Sequence, residues 1–270
     1  MGLLKNTYRT FLGGPSFRKF NKHLIQWAYT GLGVGNYESD QISGELPFLQ
    51  HYLNPERCPS GIVLDVGANI GYYAQTVHQV NPSLDIHAFE PHPRTFGVLQ
   101  KNTASNPQIR CFPFGFGKEI GTPTLFDHGG KDGTEHASLH QDALLHAGYR
   151  QEETQRVQIR LDTIDHFLEA HGIDRVLFLK IDTEGHEYAV LQGAEHALQQ
   201  GRIQWIQFEF NEMNVASRVF FKDFWDLLKD YRMFRLTPHG LLPIHRYSVA
   251  ECEVFRFQNF VAVHRTADLP

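Results

Sequence analysis

The sequence predicts an open α/β fold, a doubly wound and mostly parallel sheet completed by an antiparallel hairpin strand near its carboxyl end. Three observations carry this expectation. Ile62 to Val66 is an apolar run of strand length that leads into a bend bounded by Gly67 and Gly71, and a helical pattern follows. Strand and helix patterns then alternate through residue 113, the rhythm of parallel βαβ units. Two later runs, Val176 to Ile181 and Ile203 to Phe210, are apolar on successive residues, as strands covered by helices on both faces are.

The elements follow in order. We expect a strand at 62–66, a helix at 71–79, a strand at 84–89, a helix at 94–103 and a strand at 109–113. After the run at 176–181 comes a helix over 187–199, because Val190, Leu191, Ala194 and Leu198 share one helical face. Past the strand at 203–210, Phe220, Phe224, Leu227, Leu228 and Tyr231 mark an amphipathic helix, and the aromatic tail 255–263 supplies the final hairpin. Asn-Pro and Pro-Ser-Gly turns between 54 and 61 divide an amino-terminal helical cap, 1–60, from one catalytic domain, 61–270. Residues 127–156 interrupt the rhythm with glycines, histidines and polar side chains. A loop of that length reads as an acceptor-side flap, with a short helix from Gln141 to Ala147.

Composition excludes several classes. At 270 residues and 41% hydrophobic the chain has one sizeable core, and a net charge of −5 does not recommend nucleic acid as a partner. Cys58, Cys111 and Cys252 are scattered, without metal spacing, which favours a reducing compartment. No run approaches the roughly 18 apolar residues of a membrane span, and no secretory signal core is present, so a cytoplasmic location is expected. Residues 1–37 carry Lys5, Arg9, Arg18, Lys19 and Lys22 and no acid, with Phe17, Phe20, Leu24 and Trp27 near helical spacing. Such a segment either touches an anionic membrane or docks on the core as a lid by its aromatic face; five charges are few for an anchor, so the lid is the expectation.

The bend at 67–71 suits a nucleoside. In open parallel sheets, ligands sit at the carboxyl ends of strands, and an acid about 20 residues past the glycine turn, here Glu90, accepts hydrogen bonds from a ribose diol. A dinucleotide loop wants a third glycine and a helix amino terminus facing pyrophosphate. This loop has two glycines, and Asp65 just before it would repel pyrophosphate but attract the ammonium and sulfonium of S-adenosylmethionine. The expected cofactor contacts are Asp65, Gly67, Ala68, Asn69 and Gly71 from the bend, Phe89, Glu90, Pro91 and His92 around the ribose and adenine, and Gly115 and Phe116 at the adenine edge. A nicotinamide-dependent oxidoreductase and a non-catalytic cofactor-binding scaffold are the alternatives.

Two blocks read together turn this into a family resemblance: Val63-Leu-Asp-Val-Gly-Ala-Asn-Ile-Gly71 and Leu179-Lys-Ile-Asp-Thr-Glu-Gly-His-Glu-Tyr-Ala-Val-Leu-Gln-Gly-Ala194. The chain resembles the FkbM-type methyltransferases from about Gly44 to His264, most strongly at 62–103 and 176–195. The resemblance implies the class I methyltransferase sheet, S-adenosylmethionine as methyl donor, and an acceptor hydroxyl on a sugar, polyketide or other small molecule.

Methyl transfer to oxygen needs an aligned acceptor and a base for its proton. The end of the fourth strand should lie beside the transferred methyl, which singles out Asp182, Glu184, His186 and Glu187. His186 is the first candidate base, Asp182 its orienter or an alternative base, and Glu209, at the next strand end, a ligand for acceptor hydroxyls. Glu184 or Glu187 would serve equally as caps of the following helix. His239, in Thr237-Pro-His-Gly240, is a reserve base. No second set of ligands with clear spacing stands out, so no metal is expected.

Overall fold

The computed structural model describes residues 2–128, 138–139 and 154–267. The chain opens with α1 (Gly2–Leu12) and α2 (Arg18–Gly31), then the short α3 (Asp40–Ser43) and α4 (Glu45–Tyr52). The alternating stretch follows as β1 (Gly61–Val66), α5 (Tyr72–Val80), β2 (Leu84–Phe89), α6 (Pro93–Thr103) and β3 (Ile109–Phe112). Four short strands come next: β4 (Gly115–Phe116), β5 (Thr124–His128), β6 (Thr154–Gln158) and β7 (Leu161–Asp162). The carboxyl-terminal half supplies β8 (Val176–Ile181), β9 (Ile203–Glu209), β10 (Tyr231–Thr237), β11 (Gly240–Ile244) and β12 (Asn259–His264).

Among the described residues, eight of these strands form one sheet in the order β11-β10-β12-β9-β8-β1-β2-β3. Neighbours from β9 to β3 pair parallel, while β12 lies antiparallel between β9 and β10. This is the mostly parallel class I sheet with an antiparallel end that the sequence predicts. Sequence order did not reveal that the last strand inserts inside the sheet, leaving the β10–β11 hairpin at its edge. Insertion buries Phe260 to Val263 completely, which an edge position would leave wet on one side.

Local chemistry sets the boundaries. His92 caps α6 through Nδ1, which accepts from the Thr95 N–H, and Pro93 opens the helix where a missing N–H costs nothing. The helix expected over 187–199 is broken into Glu187–Gln192 and Glu195–Gln199. The break falls where Gly193 lies so close to the Gly117 carbonyl that a Cβ would sit 2.0 Å from its oxygen. The second piece is then capped from outside, as the Asp165 carboxylate accepts the His196 and Ala197 N–H groups, both at 2.9 Å. Tyr231, expected in a helix that actually covers Phe221–Leu227, instead begins β10, and its hydroxyl donates to the Ile203 carbonyl at 2.8 Å.

The amino-terminal residues divide differently from the expected cap. Phe48, Leu49 and Leu53 are buried in the same core as Val63, Phe178 and Trp205, so α4 packs as part of the sheet's own layer. By contrast, α1 and α2 bury no residue at all. The expected lid docked by Phe17, Phe20, Leu24 and Trp27 is therefore corrected: all four are exposed. The expected flap falls mostly outside the described residues, its helix at 141–147 entirely so; its two ends pair antiparallel as β5 and β6. Among the described residues no helix is long and apolar enough to cross a membrane.

Candidate active site

Four parallel strands bring their carboxyl ends to one open cavity of about 690 Å³, and each ends in a candidate residue. Gly67 follows β1, Glu90 follows β2, Asp182 follows β8, and Glu209 is the last residue of β9. This is where ligands of open α/β sheets bind. The wall opposite is apolar and comes from the β5–β6 hairpin and its sequel, through Leu125, Ile159 and Leu161.

The bend after β1 is fixed from both sides. The Gly67 and Ala68 N–H groups both donate to the Phe89 carbonyl, and the Asp182 N–H donates to the Val66 carbonyl at 3.0 Å. Gly67 has φ of +81°, and a Cβ there would fall 1.8 Å from the Asp182 carbonyl oxygen, so only glycine fits. Gly71 begins α5 with φ of +89° and shapes the bend without lining the cavity. Asn69, with φ of +49°, does line it.

Glu90 ties the two cofactor segments together. Its Oε2 accepts the Asn69 N–H at 3.1 Å and its Oε1 accepts the His92 N–H at 2.8 Å, yet it still borders the cavity. Burial pushes its carboxyl up to about 7 despite those two backbone donors. Each oxygen keeps a second lone pair for a ligand hydroxyl. Pro91, His92, Gly115 and Phe116 also border the cavity. His92 is held on both sides, with Nε2 facing Asp127 at 3.5 Å, and burial keeps its ring below the usual imidazole range.

Besides Gly71, three more of the expected contacts do not border the cavity. Asp65 is fully buried behind the bend, not facing the cavity, with Lys180 Nζ 3.8 Å from its carboxylate. Phe89 points into the aromatic core, stacked on Phe112, because adjacent strand residues alternate faces and Glu90 takes the cavity side. Ala68 is likewise a core residue. His239 is exposed in the turn between β10 and β11 and does not reach the cavity.

The second block forms a tight loop around Glu187. Its Oε1 accepts the Thr183 N–H at 2.8 Å, the Gly185 N–H at 3.1 Å and the Thr183 hydroxyl at 3.1 Å, so this acid organises the loop. Burial pushes Glu187 up to about 7. The loop presents Asp182, Glu184 and His186 to the cavity, Glu184 with φ of +53°. Positive φ at a non-glycine costs energy and concentrates at functional sites. His186 is half-buried against Gly117. Asp182 accepts from Lys180 Nζ at 3.1 Å, so its partner is that lysine. Burial, reinforced by the carboxylates of Asp182, Glu184 and Glu187, pushes Glu209 well above the usual carboxylate range, and Asn211 donates to it.

The donor set is thus acidic: Glu90, Asp182, Glu184, Glu209 and Glu212 border the cavity, with no lysine or arginine among its described lining residues. The methyltransferase FkbM domain model matches residues 65–234, more than half of the chain. The chain belongs to the FkbM methyltransferase family. The 31-O-demethyl-FK506 methyltransferase FkbM of Streptomyces tacrolimicus is 28% identical over 205 residues, covering 64% of this chain and 78% of that protein. The 2-O-methyltransferase NoeI of Sinorhizobium fredii is 21% identical over 188 residues, covering 68% and 77%. Among solved structures, the methyltransferase FkbM from Methylobacillus flagellatus overlaps 75% of this chain and 43% of its own, at 14% identity and a TM-score of 0.45.

In this FkbM methyltransferase the largest omission of sequence reasoning is Lys180. It is buried in a central strand among Asp65, Asp182 and Glu45, stacked on the Tyr73 ring with Nζ 4.7 Å from its centroid. Burial pulls the lysine down, but the carboxylates of Asp182, Asp65 and Glu45 more than offset it and leave it above its ordinary value. A lone lysine in an apolar strand run was the available signal, since such a charge demands buried counter-ions. Tyr37 and Phe257, which also border the cavity, gave no such signal; only the tertiary fold brings them there. Among the described residues, no cluster of histidine, cysteine and acids is arranged to hold a metal ion.

Proposed function

We propose that this FkbM methyltransferase transfers a methyl group from S-adenosylmethionine to a hydroxyl oxygen of a sugar, glycoconjugate or other small natural product. The observation that carries the reading is the cavity's donor set: a buried, doubly anchored carboxylate at the β2 end facing an acid-lined space without described basic residues. A sulfonium and ammonium compound suits that charge, whereas a pyrophosphate would meet no lysine or arginine among the described lining residues. The hydroxyl acceptor follows by analogy with the relatives named for O-methylation.

Gly67 and Asn69 would approach the donor with backbone, Glu90 would accept from its ribose hydroxyls, and Pro91, His92, Gly115 and Phe116 would flank ribose and base. Bound there, S-adenosylmethionine supplies an electrophilic methyl group. The protein's part is positioning, worth about 7–11 kcal/mol when the acceptor is well aligned, and removal of the hydroxyl proton. His186 is the proposed base. Glu209 and Asp182 border the same space and hold the acceptor; Glu209, with its raised affinity for protons, is the second candidate to take the proton. His186, or Glu209, would take the hydroxyl proton while the donor's methyl group passes to the acceptor oxygen and its sulfur departs as the thioether.

The test is calorimetric titration with S-adenosylmethionine and with NAD, followed by labelled methyl transfer to a panel of saccharides. Tight NAD binding without donor binding overturns the reading. Donor binding without turnover across neutral and acidic saccharides overturns the catalytic half and favours a scaffold.

A further inference from the structure

We propose that the α1–α2 hairpin is a docking element for an anionic lipid bilayer surface. The two helices are tied at Asn21, whose Nδ2 donates to the Leu12 carbonyl at 2.7 Å and whose Oδ1 accepts from the Tyr8 hydroxyl. Neither helix buries a residue. Leu4, Tyr8 and Phe11 recur at the spacing of one helical face in α1, and Phe20, Leu24 and Trp27 do so in α2. All six are exposed, Leu4 at 77%, Phe11 at 70% and Trp27 at 66%. Exposed apolar clusters of this size mark interaction surfaces.

Charge decides the occupant. Residues 1–37 hold five of the chain's 25 lysines and arginines and none of its 30 acids. Lys5 and Arg9 flank the apolar face of α1, and Arg18 and Lys22 lie on the opposite face of α2. A wholly basic amphipathic pair with aromatic side chains on its apolar faces fits an interface where acyl chains meet anionic headgroups. A symmetric contact between the hairpins of two copies would set basic residues against basic residues.

The root of the hairpin meets the candidate active site. Gly35 N–H donates to the Phe257 carbonyl at 2.7 Å, Arg256 lies over the Tyr29 ring, and the Tyr37 and Phe257 rings pair at 6.2 Å. Tyr37 and Phe257 both border the cavity, so a bilayer bound by α1 and α2 would lie beside its mouth.

Flotation of the full chain with vesicles of phosphatidylcholine, alone or with about one-third phosphatidylglycerol, tests the proposal. Binding is expected only to the anionic vesicles and to weaken as salt rises. Each basic residue near the surface contributes roughly fivefold, so the Lys5→Gln, Arg9→Gln double variant, at the two positions that flank the apolar face of α1, should partition roughly 25-fold more weakly. Phe20→Ser with Trp27→Ser should lose binding while keeping wild-type donor affinity, which shows that the domain is folded. Absence of binding to anionic vesicles, equal binding to neutral ones, or binding indifferent to both double variants overturns the proposal. So does a stable dimer in light scattering that the Phe20→Ser, Trp27→Ser variant dissolves, without vesicle binding; that result assigns the face to a second copy.

Discussion

Replacing Glu90 with glutamine gives the sharpest test of the donor site, because the side chain keeps its size, loses its charge and one acceptor, and turns an amide NH2 toward one of the two backbone N–H groups it serves. In the ligand-free protein this carboxylate already serves two backbone N–H groups, at 3.1 and 2.8 Å, and its remaining lone pairs face the cavity. The amide retains one acceptor oxygen, so at least one charge-assisted bond to the ribose is lost. Such a bond is worth about 1.5–3 kcal/mol, which converts to a roughly 10- to 150-fold weaker dissociation constant for S-adenosylmethionine at pH 8. Burial places the wild-type group near 7. Only its ionised form accepts from both hydroxyls, so wild-type affinity should rise about tenfold from pH 6 to pH 8. The variant lacks that titration. Calorimetry at both pH values gives the comparison, and the wild-type-minus-variant difference cancels ionisation of the ligand itself. Unchanged affinity at pH 8, or the same pH dependence in both proteins, would refute the reasoning.

Four further outcomes follow from the same geometry. His186→Ala should lower kcat by about 10²- to 10⁴-fold, the usual worth of a general base, with donor affinity held; equal loss of both quantities in calorimetry and kinetics would show that the ring is structural. Lys180→Met strands Asp65 in the core, and loss of a buried partner costs about 3–5 kcal/mol in urea unfolding; adding Asp65→Asn should recover part of it. Gly67→Ala forces a Cβ into the Asp182 carbonyl at a positive φ, so strain of about 1–3 kcal/mol comes on top of the clash, and thermal unfolding should drop sharply. Glu187, raised by burial to about 7, contributes stability that is complete below its unfolded value near 4.5 and is lost as pH rises through 7. Glu187→Gln should therefore compare better with wild type at pH 8 than at pH 5 in urea titrations, and a pH-independent difference would contradict the shift.

The sheet was legible because its central strands are covered on both faces and so carry uninterrupted apolar runs. The expected runs Ile62 to Val66, Leu84 to Phe89, Val176 to Ile181 and Ile203 to Phe210 match the observed strands to within a residue at either end. Legibility failed where the deciding contact lies far away in sequence. Nothing near Gly193 announces that the Gly117 carbonyl leaves no room for a side chain there, and nothing near Asn259 announces insertion between β9 and β10. The same distinction runs through the site. Residues at strand ends, Gly67, Glu90, Asp182 and Glu209, were readable because the fold fixes which edge they occupy. Phe89 lies one residue before that edge and strand alternation turns it inward, while Asp65 lies two residues before Gly67, buried within β1 beside Lys180; sequence proximity to the bend made both look like contacts.

Asp65 acts on the charge of the site from within the core. A carboxylate facing the cavity would be one charge among several; buried at 3.8 Å from Lys180, it instead helps hold a cation that also bonds Asp182 at 3.1 Å. Glu45, brought in by α4, adds a third acid near the same lysine. One ammonium thus joins β1, β8 and the segment preceding the sheet directly beneath the bend that Gly67 makes. Three acids against one base leave a local excess of negative charge below the cavity floor, and burial answers it in part by raising the proton affinity of Asp65 and Glu45. A cation entering above would relieve that excess, while an anion would deepen it. The proposed positively charged donor would therefore meet a charge balance set by the core that supports the bend, and not by a single side chain touching the ligand.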